Sequence, residues 1–186
     1  LDVSVHTVQA FPAHSGYRAS GRGIDWAILD TGINAAHPHF KPHGTIGLQY
    51  DCTVRGRLKA GVATDENGHG THVAGIIAGA YTVPGPSPRV LSGMAPEARL
   101  HIYKVLDRRG NGDDAWIIKA LDHIAETNRK AGRLVIQGVA DHTVLPAMYC
   151  PETQEGLLFN GIVPAGQTLV LDTVTGGDAE RLYQQL

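Results

Sequence analysis

Hydrophobic and polar positions along this chain fall into two textures that meet near residue 139. Upstream, residues 24–29 form a short apolar run behind Gly21 and Gly23 and end at Asp30, the pattern of a buried parallel strand with a polar residue at its carboxyl end. Residues 71–80 predict a short helix, whose small residues Ala74, Gly75, Ala78 and Gly79 give up helix propensity for close backbone packing. Pro84, Pro86 and Pro88 then force a loop, and residues 100–106 alternate as a second strand. Asp113 or Asp114 is placed to cap a helix from Ala115 to about Thr127, with Ile117, Leu121, Ile124 and Ala125 on one face. A third β-rich run follows at residues 134–139.

After Val139 the apolar segments shorten. Residues 143–149, 156–159 and 168–174 are apolar or β-branched and are separated by Pro151, Gly161, Pro164, Gly166 and the Gly176-Gly177 pair. They predict a small antiparallel β unit, closed by a short helix over residues 178–186. The expected organisation is therefore an α/β part over residues 1–139 and a β-rich appendage or insertion over residues 140–186.

Composition narrows the function classes. A chain of 186 residues with 42% hydrophobic and 18% charged content suits one domain, or one domain with a small appendage. Its net charge of -2, with arginines scattered along the chain, offers no field for nucleic acid. The longest apolar stretch, residues 73–80, is glycine-diluted and far short of the ~20 residues that span a bilayer, so a soluble chain is expected. No signal-peptide pattern follows Leu1, and the absence of an initial Met reads as processing or trimming; localisation is not encoded. Cys52 and Cys150 form no disulfide framework and are read as free thiols.

The chemistry concentrates in two blocks, Asp30-Thr31-Gly32 and Gly68-His69-Gly70-Thr71-His72-Val73-Ala74-Gly75-Ile76. Acyl transfer at neutral pH needs a base within reach of a hydroxyl, and a third group that sets the tautomer of the base and stabilises its charged form. An aspartate at a strand end and a histidine at a helix start suit the second and first of these roles. Taken singly, each has an ordinary structural explanation, a turn for Asp30-Thr31-Gly32 and a solvated side chain for one of ten histidines.

Taken jointly, the two blocks resemble the subtilisin-like serine proteases, the subtilases. The likeness extends from about residue 8 to residue 139: Gly16-Tyr17 and Gly21-Arg22-Gly23-Ile24 are similar to the approach to the family's first strand, Asp65-Glu66-Asn67-Gly68 to the run into its His block, and Gly93-Met94-Ala95-Pro96 to the entry of the next strand. It implies a partial subtilisin-like fold, a three-layer parallel sheet with helices, and a serine endopeptidase mechanism in which Asp30 orients and His69 is base and then acid. It also implies that Gly110-Asn111-Gly112 forms the edge against which an extended polypeptide substrate adds as a strand. Without the resemblance, the same three residues read as a turn before a capped helix.

Departures from the family pattern are equally specific. Subtilases carry the oxyanion-hole Asn and a Gly-Thr-Ser block with the nucleophile downstream of the third strand, whereas the serines of this chain are Ser4, Ser15, Ser20, Ser87 and Ser92, all upstream of it. Loss of the nucleophile costs on the order of 10⁶ in turnover, so the chain alone is expected to be inactive. Replacement by the Cys150 thiol has no supporting context in Met148-Tyr149-Cys150-Pro151, and a structural cysteine is the simpler reading. No cofactor is expected. Calcium is only weakly implied, because the Asp that often follows His-Pro in the family is His39 here. Zinc is disfavoured, since the zinc-protease helix needs His at i and i+4 with a Glu between, and His69-Gly70 with His72 provides neither.

Residues 155–173 loosely resemble β-sandwich pieces of bacteriophage tail proteins, through Glu155-Gly156-Leu157-Leu158-Phe159-Asn160-Gly161 and the Pro164-Ala165-Gly166 turn; an ordinary antiparallel appendage is preferred. Two functional readings follow. The first is a subtilase endopeptidase by descent, acting on polypeptides with a nucleophile from outside this chain. The second is a non-catalytic structural or interaction protein on a peptidase-derived scaffold, with self-association or a complementing chain covering its open strand edges.

Overall fold

A computed structural model describes residues 2–54, 57–131, 135–136, 138–141, 155–158 and 172–175. Its elements run α1 (Asp2–Thr7), α2 (Ala10–Tyr17), β1 (Asp25–Asp30), a 3-10 turn (Pro38–Phe40), β2 (Ile46–Asp51), β3 (Lys59–Ala60), α3 (His69–Ala78), β4 (Ala80–Val83), β5 (Arg89–Ser92), β6 (Arg99–Lys104), α4 (Asp114–Ala131), β7 (Gly138–Asp141), β8 (Glu155–Leu158) and β9 (Asp172–Thr175). Five strands form one sheet in the order β3-β2-β6-β1-β7. β1 pairs in parallel with β6 and β7, β2 in parallel with β6, and β3 closes the edge antiparallel to β2. This is the mixed α/β architecture with a parallel sheet that the apolar runs imply.

Period-2 alternation along the central strands sorts their side chains onto two faces. Ala27 and Leu29 of β1 and Tyr103 of β6 pack with Ile117, Ala120 and Ile124 of α4. Ile28 of β1 and Leu100 and Ile102 of β6 pack with Val73, Ala74 and Ala78 of α3. The sheet is thus sandwiched between α3 and α4, and the parity of the strand sends Asp30 to the same face as Ile28, toward α3. Asp25, with the parity of Ala27 and Leu29, belongs to the α4 face.

Several boundaries differ from the sequence expectation, each for a local reason. The helix expected at residues 71–80 is His69–Ala78. It starts earlier because the Asp65 carboxylate accepts the backbone N–H groups of Gly68 (2.8 Å) and Thr71 (2.9 Å), donors that would otherwise be unsatisfied at a helix start. Ala80 instead opens a hairpin, β4 with β5, whose turn holds the three prolines. The second strand ends at Lys104 because Val105 and Leu106 both turn their N–H groups onto the Asp30 carbonyl, at 2.9 and 3.2 Å.

In α4 the Asp113 side chain accepts from Ala115 N–H at 2.8 Å, so Asp113 acts as the cap. Ala120 is buried on the inner face, whereas Ala125 is exposed. The third run, expected at residues 134–139, is β7 over Gly138–Asp141. Val135 and Ile136 donate their N–H groups to Asn128 Oδ1 at 2.8 and 2.9 Å, which takes them off the ladder. β2 and β3 were not expected. β2 alternates over Ile46, Leu48 and Tyr50 against Gly47, Gln49 and Asp51, and its register with β6 shifts between Ile46 and Gln49.

Beyond Asp141 the described residues form one antiparallel pair, β8 with β9, close to the strands expected at 156–159 and 168–174. The strand expected at 143–149 and the helix expected at 178–186 lie outside the described residues. Among the described residues, no helix is long and apolar enough to cross a membrane.

Candidate active site

β1 delivers Asp30 to the carboxyl end of the sheet, the place where open α/β sheets gather functional side chains. The side chain is 1% exposed. A carboxylate buried to that degree needs strong hydrogen-bond donors, and Asp30 has them. Thr31 N–H donates to Oδ1 at 2.6 Å, and His69 Nδ1 lies 2.9 Å from both Oδ1 and Oδ2. The imidazole, by contrast, is 51% exposed. Nδ1 facing a carboxylate favours the tautomer with the proton on Nδ1, which leaves the lone pair on Nε2. Asp30 and His69 thus stand in hydrogen-bond contact, the pairing on which the expected roles of orienting acid and base depend.

Close backbone approach makes this meeting possible. Gly70 follows His69, and a side-chain carbon built there would come within 2.3 Å of the Gly32 carbonyl oxygen and 3.2 Å of Asp30 Cβ. Gly32 adopts φ +117°, a left-handed conformation that turns the chain away from the strand end. The two glycines let the first turn of α3 lie directly on the end of β1.

Around the pair stand three residues to which the sequence pattern alone assigns no separate role. Thr31 is the first: its hydroxyl donates to Asp65 Oδ1 at 2.8 Å and accepts from Gly70 N–H at 2.9 Å. Lys104, opposite Asp30 in the β1–β6 register, is 6% exposed and donates from Nζ to the Thr31 carbonyl at 2.5 Å. Asp65 is the third. Burial works against its charge, but hydrogen bonds from the Thr71 hydroxyl, the Gly68 and Thr71 N–H groups and the Thr31 hydroxyl outweigh that and hold the carboxyl well below the usual aspartate range. The detectable signal was an acidic residue just ahead of a helix start.

Gly110, Asn111 and Gly112 are exposed and follow the turn at Arg108 and Arg109. Asp107 Oδ1 accepts the N–H groups of Arg109 (2.8 Å) and Asn111 (2.9 Å), and Gly112 bridges antiparallel to Leu106. These backbone bonds, Asn111 first and then Arg109, lower the Asp107 pKa. Asn67 Nδ2 donates to the Arg108 carbonyl at 3.1 Å, which ties this loop to the segment that leads into His69.

The remaining histidines lie elsewhere. His37 and His72 line a cavity of about 290 Å³ with His39, Phe40, Gly68, Thr71, Gly75 and Ile76. His39 stacks on Tyr81, with ring centroids 5.2 Å apart, and burial followed by the nearby His37 lowers its pKa. Among the described residues, no three His, Cys, Asp or Glu side chains are grouped to hold a metal ion.

The model of the Subtilase family matches residues 21–136, more than half of the chain. An intracellular serine protease of Paenibacillus polymyxa is 41% identical over 106 residues, covering 57% of this chain and 30% of that protein. The major intracellular serine protease of Bacillus subtilis (strain 168) is 32% identical over 167 residues, covering 89% of this chain and 47% of that protein. Among solved structures, Sphericase superposes with a TM-score of 0.50 at 33% identity, over 61% of this chain and 35% of the other. The chain therefore spans less than half the length of these relatives.

Proposed function

The chain belongs to the Subtilase family, and from that premise we propose that it carries the acid and base half of a serine endopeptidase active site. In this reading Asp30 fixes the tautomer and orientation of His69. His69 Nε2 takes the proton of an attacking serine hydroxyl and later returns it to the leaving amine. The substrate is a polypeptide that adds in extended form along Gly110 to Gly112, with backbone hydrogen bonds setting its register. The observation that carries the proposal is the 2.9 Å approach of His69 Nδ1 to both oxygens of a buried Asp30.

The nucleophile is proposed to come from outside these 186 residues. Ser15 donates to Phe11 O and Ser92 to Gly93 O, both at 3.1 Å; Ser20 donates to Glu97, and Ser87 is exposed in the proline turn. None adjoins His69 in these contacts. Cys52 is no substitute, since burial pushes its thiol up to about 12. Calcium is not proposed at the His37-Pro38-His39 turn, because that ion takes oxygen ligands and the His39 side chain is an imidazole stacked on Tyr81. Residues 140–186 are read as a β-rich appendage, and a complementing chain or self-association as the partner that covers open strand edges.

Two assays test this reading. The isolated chain should neither cleave casein nor label with a fluorophosphonate, and labelling that disappears in His69→Ala would refute an external nucleophile. A longer parent polypeptide with a downstream Gly-Thr-Ser block should label, and should lose the label in the same variant.

A further inference from the structure

Two segments far apart in sequence must be registered to within a few tenths of an ångström for Asp30 and His69 to work together. Strand β1 and helix α3 supply the residues, but the apolar contacts between them, Ile28 against Val73 and its neighbours, do not specify so fine a position. We propose that Asp65 is the positioning residue that locks His69 onto Asp30, an inference that rests on the peptidase reading above and names the group that holds its site together.

The case comes from what one carboxylate collects. Oδ1 accepts from the Thr31 hydroxyl (2.8 Å), Asn67 N–H (3.0 Å) and Gly68 N–H (2.8 Å). Oδ2 accepts from Thr71 N–H (2.9 Å) and the Thr71 hydroxyl (2.5 Å). Thr31 adjoins Asp30, and Gly68 and Thr71 bracket His69, so the carboxylate joins the strand end directly to the first helical turn. A cap alone would need only the helix-start donors. The Thr31 bond is the one that reaches the other element, and it is reinforced by Gly70 N–H donating back to the Thr31 hydroxyl.

All five partners are donors, which makes the charge state specific. An ionised carboxylate accepts at both oxygens, whereas an amide would turn an NH₂ toward either the Oδ1 or the Oδ2 donors. Asn and Asp are therefore not equivalent here despite their equal size. The neighbouring Glu66 is exposed and matches Asp65 in charge, which makes it the natural control.

The test reads the imidazoles by long-range ¹H–¹⁵N correlation in the histidine-labelled full chain, near pH 8, where ordinary imidazoles are neutral. Wild type should show His69 as the Nδ1–H tautomer, and Asp30→Asn should abolish that preference. Asp65→Asn should likewise lose the single His69 tautomer, whereas Glu66→Gln should keep it. His101, whose partners are Asp25 and Leu48, is the internal reference for an intact fold.

Retention of the wild-type His69 signal in Asp65→Asn, with His101 unchanged, would overturn the proposal. If Asp65→Asn also loses the His101 signal, Thr31→Val decides: it removes the hydroxyl's bonds to Asp65 and from Gly70 N–H, both strand-to-helix, and leaves the helix-start bonds of Asp65 in place, so loss of the His69 tautomer supports the proposal and retention overturns it. A wild-type His69 tautomer indifferent to Asp30→Asn would sink the peptidase reading itself. An indifferent Asp65 beside an Asp30-dependent His69 sinks this inference alone.

Discussion

Two carboxylate–imidazole pairs sit at opposite ends of β1 and on opposite faces of the sheet. At the carboxyl end Asp30 holds His69 through Nδ1 at 2.9 Å; at the amino end Asp25 holds His101 through Nε2 at 3.0 Å. The contact distances are nearly the same, but the surroundings differ. His101 is 6% exposed, and its Nδ1 accepts Leu48 N–H at 3.2 Å, so both ring nitrogens are committed to the fold. Gly47 allows that approach, since a side-chain carbon there would stand 3.0 Å from His101 Nδ1. His69 is half exposed, and a carboxylate at Nδ1 favours the opposite tautomer. A His–Asp contact is therefore no signature of catalysis by itself. What separates a base from a structural strut is which nitrogen meets the carboxylate and whether solvent or substrate can reach the ring.

The largest predicted effect lies at the structural pair. His101→Ala removes a buried imidazole and leaves Leu48 N–H unpaired, so urea unfolding should show a loss of about 2–4 kcal/mol. Next comes Gly70→Ala, which forces a methyl group against the Gly32 carbonyl. It should cost about 1–3 kcal/mol in the same experiment and also break the His69 tautomer signal, because it wedges α3 off the strand end.

Acid should loosen the exposed pair through its clamp. The folded pKa of Asp65 is depressed, so its contribution is fully present above the ordinary aspartate range near pH 4 and is lost as pH falls toward the folded value. The stability gap between wild type and Asp65→Asn should accordingly be narrower at about pH 3 than at about pH 6. A gap that widens on acidification would contradict the sign. The smallest effect is expected for His69→Ala, about 1 kcal/mol by urea, because loss of a half-exposed ring opens Asp30 to water, which replaces the missing donor. A loss equal to that of His101→Ala would erase the distinction between the two sites.

Legibility in the sequence followed the range of the interactions. The run ending at Asp30, the acidic cap at Asp113 and the small-residue helix after Gly68 are local patterns, and each appears within a few residues of its expected place. β2 alternates over only six residues and holds its place through a shifted register with β6, and β3 is two exposed residues; both depend on partners remote in sequence. Asp65 looked like part of an approach segment, since its value lies in Thr31, a partner 34 positions away.

By itself, the sequence determined the types of β1, α3, β6 and α4, the strand-end aspartate and the helix-start histidine, because periodicity and capping act between near neighbours. Tertiary structure decided which carboxylate meets which imidazole. β1 carries both Asp25 and Asp30, and only strand parity, register with β6 and the docking of α3 assign one to His101 and the other to His69. Such pairings depend on distances between segments remote in the chain, and those are set when the two faces of the sheet are covered.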